Sequence, residues 1–398
     1  MRYLNLAGYI AIPLAYAVHL WLGTGKPWEP GVTFALAALG VVPLAHLMGV
    51  STEHLAAKAG PTWGGLLNAT FGNAAELIIG VIALSKGLNG VVKASLTGSI
   101  LGNLLLVAGA AIVAGGWRRE KQTINPAAVE ANGGLLMIGV AAMLVPAIFH
   151  FTGERLGDVE LVRHEHNVSV ATCIVLVLVY VAGLLFTLRT HAHLFSPAER
   201  TPKPSPAPSP VERESDRDVL AYTAAPAREE GWTVRFSIVM LLLASAGIAV
   251  VAELLVGSAE ALAHRFGWNE VFVGVILLAI VGNAAEHSTA VMLAVRDDMD
   301  TAMTIVFQSS LQIALFATPV LVFTSAAMVA GHVGNAHEYL DLVFTPMEVV
   351  SVALAVITVV MLARDGQTNW FEGVLILGLY VILAVAFFYL PAGAAKAE

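Results

Sequence analysis

The string Gly-Asn-Ala-Ala-Glu occurs twice in this chain, at residues 72–76 and 282–286. Both copies lie inside long runs of apolar residues, where asparagine and glutamate are rare, so composition alone does not explain the repetition. The same offset of 210 residues aligns Ser99 with Ser309. The chain is therefore predicted to contain two copies of one structural unit, each with a glutamate among apolar residues.

The apolar runs determine the class of protein. The chain is 57% hydrophobic and 13% charged, where soluble domains carry roughly 25% charged residues. A bilayer-spanning helix needs about 20 apolar residues, and continuous runs, unlike alternating ones, exclude a membrane β-barrel. Eleven candidate spans lie at approximately 3–22, 32–50, 62–85, 94–116, 131–151, 168–188, 234–256, 270–295, 301–330, 344–363 and 371–391.

Charge and cysteine content exclude other classes. The net charge is −8 and no basic patch is present, so no nucleic-acid partner is expected. The single Cys173 cannot form an intrachain disulfide or a zinc cluster. The spans contain no nucleophile pattern of known hydrolases. We therefore predict neither an enzyme nor a bound cofactor.

The two motif copies lie in the third and the eighth span. The second copy lies five spans after the first, and because five is odd the two copies cross the membrane in opposite directions, as in many secondary transporters. The sequence predicts an all-α polytopic membrane protein of about 11 helices, one extra helix plus two inverted five-helix repeats. Its parts are the extra helix (1–30), repeat one (31–190), a linker (191–232) and repeat two (233–398).

The linker is distinguished by composition. Residues 196–210 contain six prolines, and residues 211–218 mix acidic and basic side chains, which predicts an extended segment. If the N-terminus is cytoplasmic, fourteen of the 21 Lys and Arg fall on the cytoplasmic side. We expect an integral protein of the cell membrane, the inner membrane in a prokaryote, with a cytoplasmic N-terminus and linker. The sequence does not determine whether it forms a homo-oligomer.

The motif itself suggests the chemistry. On a helix, Asn73 and Glu76 share a face, as do Asn283 and Glu286, and no Lys or Arg lies at helical spacing from either glutamate. A membrane-embedded carboxylate costs several kcal/mol unless it is paired, protonated or metal-bound. Two carboxylates with neutral oxygens suit a hard cation such as Ca²⁺. Since unoccupied carboxylates repel each other, protons compete for the same oxygens.

These residues resemble a known family. The paired motifs, Gly-Gly-Leu-Leu-Asn-Ala-Thr-Phe at 64–71 and Ser-Leu-Gln-Ile-Ala-Leu-Phe at 310–316 are similar to those of the Ca²⁺/H⁺ exchangers, within the Ca²⁺/cation antiporter superfamily. The resemblance implies one extra helix plus two inverted five-helix repeats, with alternating access by movement of peripheral helices against a core. It also implies that Glu76 and Glu286 bind Ca²⁺ and exchange it for H⁺. Residues implied to complete or support the site are Asn73, Asn283, Ser99, Ser309 and Gln312.

One residue breaks the symmetry of the two motifs. His287 follows the second motif glutamate, whereas Leu77 follows the first. Because histidine titrates near neutral pH, His287 is a candidate for proton coupling together with Glu76 and Glu286. The alternative is a histidine that packs against a neighbouring helix.

Three further acids are candidates for the entrances to the site. Glu53 and Glu260 occupy related positions in spans two and seven, and Glu253 lies seven residues before Glu260 on the same helix face. They are predicted to line the two entrances, one on each side of the membrane. The alternative is that they are solvated glutamates at helix ends.

The sequence thus predicts a secondary active transporter that exports Ca²⁺ from the cytosol in exchange for H⁺. Ca²⁺ is its substrate, and its partners are Ca²⁺, H⁺ and the lipid bilayer. A Na⁺/Ca²⁺ exchanger of the same superfamily is one alternative, although its typical motifs place hydroxyl residues before the glutamate. A cation channel is a second alternative, although channels more often use a symmetric oligomeric ring.

Overall fold

The structure, a computed structural model, describes residues 2–191, 232–335 and 337–391. Within these residues the chain is almost entirely helical, as predicted. Most of the predicted linker, residues 192–231, lies outside the described part of the chain. Helix α1 (Arg2–Ala17) comes first and continues into a π-helical turn at Val18–Leu22.

Two groups of six helices follow, with the same order in each group. In each, a long helix precedes a pair of shorter helices separated at the motif, and three further helices complete the group. The first group consists of α2 (Glu29–Ala59), α3 (Pro61–Phe71), α4 (Ala74–Ser85), α5 (Asn89–Gly116), α6 (Pro126–Leu156) and α7 (Leu161–Thr190). The second consists of α8 (Val234–Phe266), α9 (Glu270–Gly282), α10 (Ala284–Val295), α11 (Met299–Ala330), α12 (Pro346–Ala363) and α13 (Trp370–Phe388).

Related irregularities occur in both groups. A π-helical segment interrupts α5 at Gly102–Val107 and α11 at Ile313–Ala317. The two groups are also joined by a short strand from each. Strand β1 (Gln122–Thr123), which follows α5, pairs with β2 (Gln367–Thr368), which precedes α13. The antiparallel pair ties the two groups together.

The number of membrane crossings agrees in part with the expectation. Eight described helices are long and apolar enough to span a bilayer, and a ninth is obtained if α9 and α10, bent by 63°, are counted together. Two shorter apolar helices lie at Leu6–Leu22 and Ala74–Ser85. A helical membrane protein is therefore confirmed, whereas the total of eleven crossings and their inverted directions stay predictions.

The connections between helices fall at two ends of the molecule. We name one end the linker side, because α7 ends and α8 begins there, and Lys58 Nζ donates to the carbonyl oxygen of Trp232 at this end. The strands β1 and β2 also lie at the linker side. At the opposite end, the far side, Lys93 Nζ lies 3.1 Å from Asp341 Oδ1.

Helices α5 and α9 pack with their backbones in direct contact. A Cβ atom at Gly98 would lie 2.2 Å from the carbonyl oxygen of Val275, and one at Gly274 would lie 2.5 Å from the Cβ of Ala94. Small residues allow such close approach, which is a main source of helix association in lipid. This seam holds the first group of helices against the second.

Replacing Gly98 by alanine is expected to destabilise the protein. The added methyl group would overlap the backbone of Val275, and overpacking of this kind costs about 1–3 kcal/mol. Thermal unfolding of the purified protein in detergent should show a lower Tm. Gly134→Ala is the matched control, because a Cβ there would meet nothing within 4 Å; equal Tm values for both variants would contradict the tight seam.

Candidate cation site

Both motifs interrupt a helix. Asn73 (φ −104°, ψ 26°) and Asn283 (φ −95°, ψ 6°) depart from regular helical geometry, and α4 and α10 begin at the next residue. Glu76 and Glu286 therefore lie in the first turn of a new helix. The start of a helix has unpaired N–H groups and a partial positive charge, which stabilise a carboxylate.

The two motif glutamates line one cavity of about 240 Å³, which we name the glutamate cavity. It lies in the linker-side half of the molecule and is formed by residues from α2, α3, α4, α9, α10 and α11. The polar side chains that line it are His46, Glu53, Asn68, Glu76, Glu286, Thr289, Gln308, Ser309 and Gln312. The predicted residues Glu76, Glu286, Ser309 and Gln312 are thus brought together.

Hydrogen bonds connect the first motif to the second group of helices. Ser309 Oγ donates to Glu286 Oε2 at 2.5 Å and lies 3.5 Å from Asn73 Oδ1. Asn73 Nδ2 donates to Gln312 Oε1. The asparagine of one motif is therefore fixed by side chains of α11, and the same serine orients the glutamate of the other motif.

The repeat-related contact is present on the other side of the site. Asn283 Nδ2 donates to Ser99 Oγ at 2.9 Å, which mirrors the approach of Asn73 to Ser309. Ser99 is buried behind Asn283 and does not line the glutamate cavity. The structure thus places Ser99 as a support for Asn283, and direct binding of a cation by either residue stays a prediction.

Each motif also uses a glycine to make room for a polar group from the other group of helices. A Cβ at Gly282 would lie 3.6 Å from Glu76 Oε1, and one at Gly72 would lie 3.2 Å from Gln312 Oε1. Glu76 is therefore packed directly against the second motif. A glycine of each motif therefore contacts a polar side chain from the other group of helices, at ordinary distance for Gly282 and more tightly for Gly72.

The glutamates have no basic partner. Among the described residues, neither Glu76 nor Glu286 forms an ion pair, and no three His, Cys, Asp or Glu side chains form a metal cluster. A cation at this site would be bound by two carboxylates and by neutral amide and hydroxyl oxygens. This all-oxygen set matches the preference of Ca²⁺ and disfavours soft metals.

His287 lies beside the site but does not line the glutamate cavity. Its ring packs next to Gly102 of α5, 3.9 Å from the position of a Cβ, and its Nε2 has no hydrogen-bond partner in the described part of the chain. Gly102 aligns with Gln312 at the repeat offset, so His287 occupies space that glutamine fills in the related position. Its role in proton coupling stays a prediction.

The three candidate entrance acids are in different places. Glu53 lines the glutamate cavity. Glu253 lines a far-side cavity of about 350 Å³ that also includes Lys86, and Glu260 lines another of about 330 Å³ that also includes His264. Neither far-side cavity reaches the motif glutamates. The structure therefore joins only Glu53 to the site, and the entrance roles of Glu253 and Glu260 stay predictions.

One residue of the network was not found from the sequence. Asn103 is 1% exposed, and its Nδ2 donates to Ser309 Oγ at 2.8 Å. Its repeat counterpart is Ile313, so the alignment of the two repeats did not single it out. The available signal in the sequence was a polar side chain, that of Asn103, inside an apolar span.

Replacing Asn103 by alanine is expected to weaken cation binding without abolishing it. The Ser309 hydroxyl would lose its buried donor, which costs about 1–2 kcal/mol, or roughly 5- to 30-fold in affinity. Ca²⁺ titration of the purified protein measures the change. Asn89→Ala serves as control, because Asn89 donates to Glu338 at the exposed far side; unchanged affinity in Asn103→Ala would contradict the assigned role.

Comparison with known proteins agrees with the geometry. The chain is 44% identical to the Ca²⁺/H⁺ antiporter of Synechocystis sp. (95% of each chain) and 39% identical to the Ca²⁺/H⁺ antiporter ChaA of Bacillus subtilis (93% of this chain, 95% of ChaA). The solved structure of native YfkE has a TM-score of 0.73 and 35% identity, with 97% of this chain and 100% of YfkE covered. The pattern of the sodium/calcium exchanger protein family matches residues 30–189 and 236–389, and this chain belongs to that family of membrane transporters.

Proposed function

We propose that this chain is a secondary active transporter that exports Ca²⁺ from the cytosol in exchange for H⁺. The observation that carries the proposal is that Glu76 and Glu286 line one cavity without a basic partner among the described residues. The names of its relatives, which are Ca²⁺/H⁺ antiporters, support the choice of ions. In this proposal the chain is not an enzyme, and Ca²⁺ is the substrate and not a resident cofactor.

The proposed exchange of Ca²⁺ for protons follows from charge balance inside the protein, where the low dielectric makes a net charge costly. Two ionised carboxylates carry two negative charges, which either one Ca²⁺ or two protons neutralise. Both states are acceptable in the membrane, whereas the empty, doubly charged state is costly. Ca²⁺ and protons therefore compete for the same oxygens of Glu76 and Glu286. Ser309, which donates to Glu286, and the amides of Asn73, Asn283 and Gln312 support the site in either state.

In an alternating-access mechanism, the linker side and the far side would open to the site in turn. We infer that the two groups of helices are inverted repeats and that the linker side faces the cytosol, as the distribution of Lys and Arg predicts. The glutamate cavity, with Glu53 in its lining, would then give access from the cytosol. The tight contact between Gly98 and Val275 would then close the site toward the opposite side, and it would loosen in the outward-open state. In a prokaryotic cell the protein would lie in the inner membrane, with its N-terminus in the cytoplasm.

Replacing either motif glutamate by glutamine is expected to abolish exchange. Glutamine retains size and hydrogen bonding but removes the charge and the proton that exchange requires. Ca²⁺ uptake into proteoliposomes, driven by an imposed pH gradient, should be absent in Glu76→Gln and in Glu286→Gln. Glu154→Gln, at an exposed position of α6, should transport at the wild-type rate.

The same assay tests the alternatives. Near-normal uptake by either glutamine variant would contradict the proposal that Ca²⁺ and protons compete for the two glutamates. Uptake driven by a Na⁺ gradient at constant pH would instead favour a Na⁺/Ca²⁺ exchanger. Ca²⁺ flux that cannot accumulate against its own gradient would favour a channel.

His287 provides a test of stoichiometry. Two glutamates alone would make exchange electroneutral, and a proton carried additionally by His287 would make it electrogenic. The energy coupled to the membrane potential would then be about 2.3 kcal/mol per charge per 100 mV. His287→Leu, which copies Leu77 of the first motif, should retain Ca²⁺ uptake but lose its response to a valinomycin-clamped potential. If wild type and variant respond alike, His287 is a packing residue.

A further inference from the structure

A second cavity of about 260 Å³ adjoins the glutamate cavity on the linker side. The two cavities share Asn68, Gln308 and Gln312 in their linings. The second cavity, which we name the side cavity, is formed by residues of α3, α6, α7 and α11 and by the N-cap residue of α6, and no residue of either Gly-Asn-Ala-Ala-Glu motif lines it. It extends from Gln312, next to the site, to Asp300 near the linker-side end of α11.

One face of α11 supplies a row of oxygens along the side cavity. Asp300, Thr304, Gln308 and Gln312 are spaced four residues apart, and all four line it. A helix rises about 1.5 Å per residue, so each step is about 6 Å and the row spans about 18 Å. Gln312 at its inner end accepts from Asn73 of the first motif. The row thus leads from the linker side to the glutamates.

Two polar side chains of the side cavity, Asn132 and Asp300, differ in how they are paired. Asn132 is 2% exposed, and its Oδ1 has no hydrogen-bond partner among the described residues. A buried unpaired acceptor costs about 1–3 kcal/mol. Asp300 Oδ1 accepts the backbone N–H of Asn125 at 2.8 Å, yet Asp300 forms no ion pair within the described ranges. The Asn132 oxygen is enclosed by protein atoms, whereas the partly exposed Asp300 carboxylate is available to a cation in the cavity.

The first repeat has no equivalent row. At the offset of 210 residues the matching positions are Gly90, Ala94, Gly98 and Gly102. Two of these, Ala94 and Gly98, pack against the backbone of α9 in the closed seam. The oxygen row is therefore a property of the linker side alone and does not follow from the symmetry of the site.

We propose that the side cavity is a recruitment site that holds hydrated Ca²⁺ before it reaches the glutamates, with Asp300 as its carboxylate and with Thr304 and Gln308 as neutral oxygen donors at successive positions along the row. No Lys or Arg lines this cavity, so it does not suit an anion, and its donors are all oxygens, which suit a hard divalent cation. With one carboxylate the affinity is weak, on the order of millimolar. The inference rests on the proposed function, since it identifies where the transported ion enters.

Transport kinetics from each side test the proposal. In vesicles that present the linker side to the Ca²⁺ solution, Asp300→Asn and Thr304→Val should raise the apparent KM at least about threefold by lowering the local concentration of the cation. The maximal rate should be unchanged, and so should the KM for Ca²⁺ offered at the far side. Asn at position 300 retains an acceptor for Asn125. The control is Asp365→Asn, which removes an exposed linker-side acid that lies outside this cavity.

Direct binding separates this inference from the proposed function. The purified Glu76→Gln/Glu286→Gln protein should still bind one Ca²⁺ weakly in a calorimetric titration, and adding Asp300→Asn should remove that binding. An unchanged linker-side KM in both single variants, or weak binding that survives Asp300→Asn, would overturn the recruitment site. Equal displacement of this Ca²⁺ by equimolar Na⁺ would overturn its assignment to a divalent ion. Absence of wild-type Ca²⁺/H⁺ exchange would overturn the proposed function instead, while the titration still decides the site.

Discussion

The structure depends on two carboxylates that lie inside a membrane protein without a basic partner among the described residues. In an apolar environment such groups cost several kcal/mol each when ionised. The chain offsets this cost with local backbone geometry: both helices break just before the glutamate, so that Glu76 and Glu286 lie in the first turn of α4 and α10. The Ser309 hydroxyl adds a direct hydrogen bond to Glu286. The remaining charge is available to a cation or to protons.

The site is formed between the repeats and not within either one. Asn73 contacts Ser309 and Gln312, and Asn283 contacts Ser99, which in each case belongs to the other group of helices. The motif glycines follow the same rule, since Gly282 makes room for Glu76. Movement of one group relative to the other therefore changes the site directly. In the proposed transport cycle, this arrangement would couple the occupancy of the site to the relative position of the two groups.

Helices α5 and α11 occupy the same place in the two groups but differ in the side chains that they carry at aligned positions. Where α11 has Gln312, α5 has Gly102, and His287 fills the space that this glycine leaves. The polar row of α11 lines a cavity, whereas the corresponding small residues of α5 include Gly98 in the closed seam. Two groups of helices in the same order thus provide a related pair of glutamates, and unequal side chains distinguish the linker side from the far side.

The sequence alone determined the helical membrane class, the duplicated unit and the pair of glutamates, because apolar runs and a repeated charged motif are local patterns. It also identified Asn73, Asn283, Ser309 and Gln312, which are close in space. Only the tertiary structure decided that Ser99 lies behind Asn283, that Glu260 is remote from the glutamate cavity, and that Asn103 and Asn132 adjoin the cavities. The residues that surround them are distant along the chain, so packing between the two groups of helices, and no local pattern, fixes their surroundings.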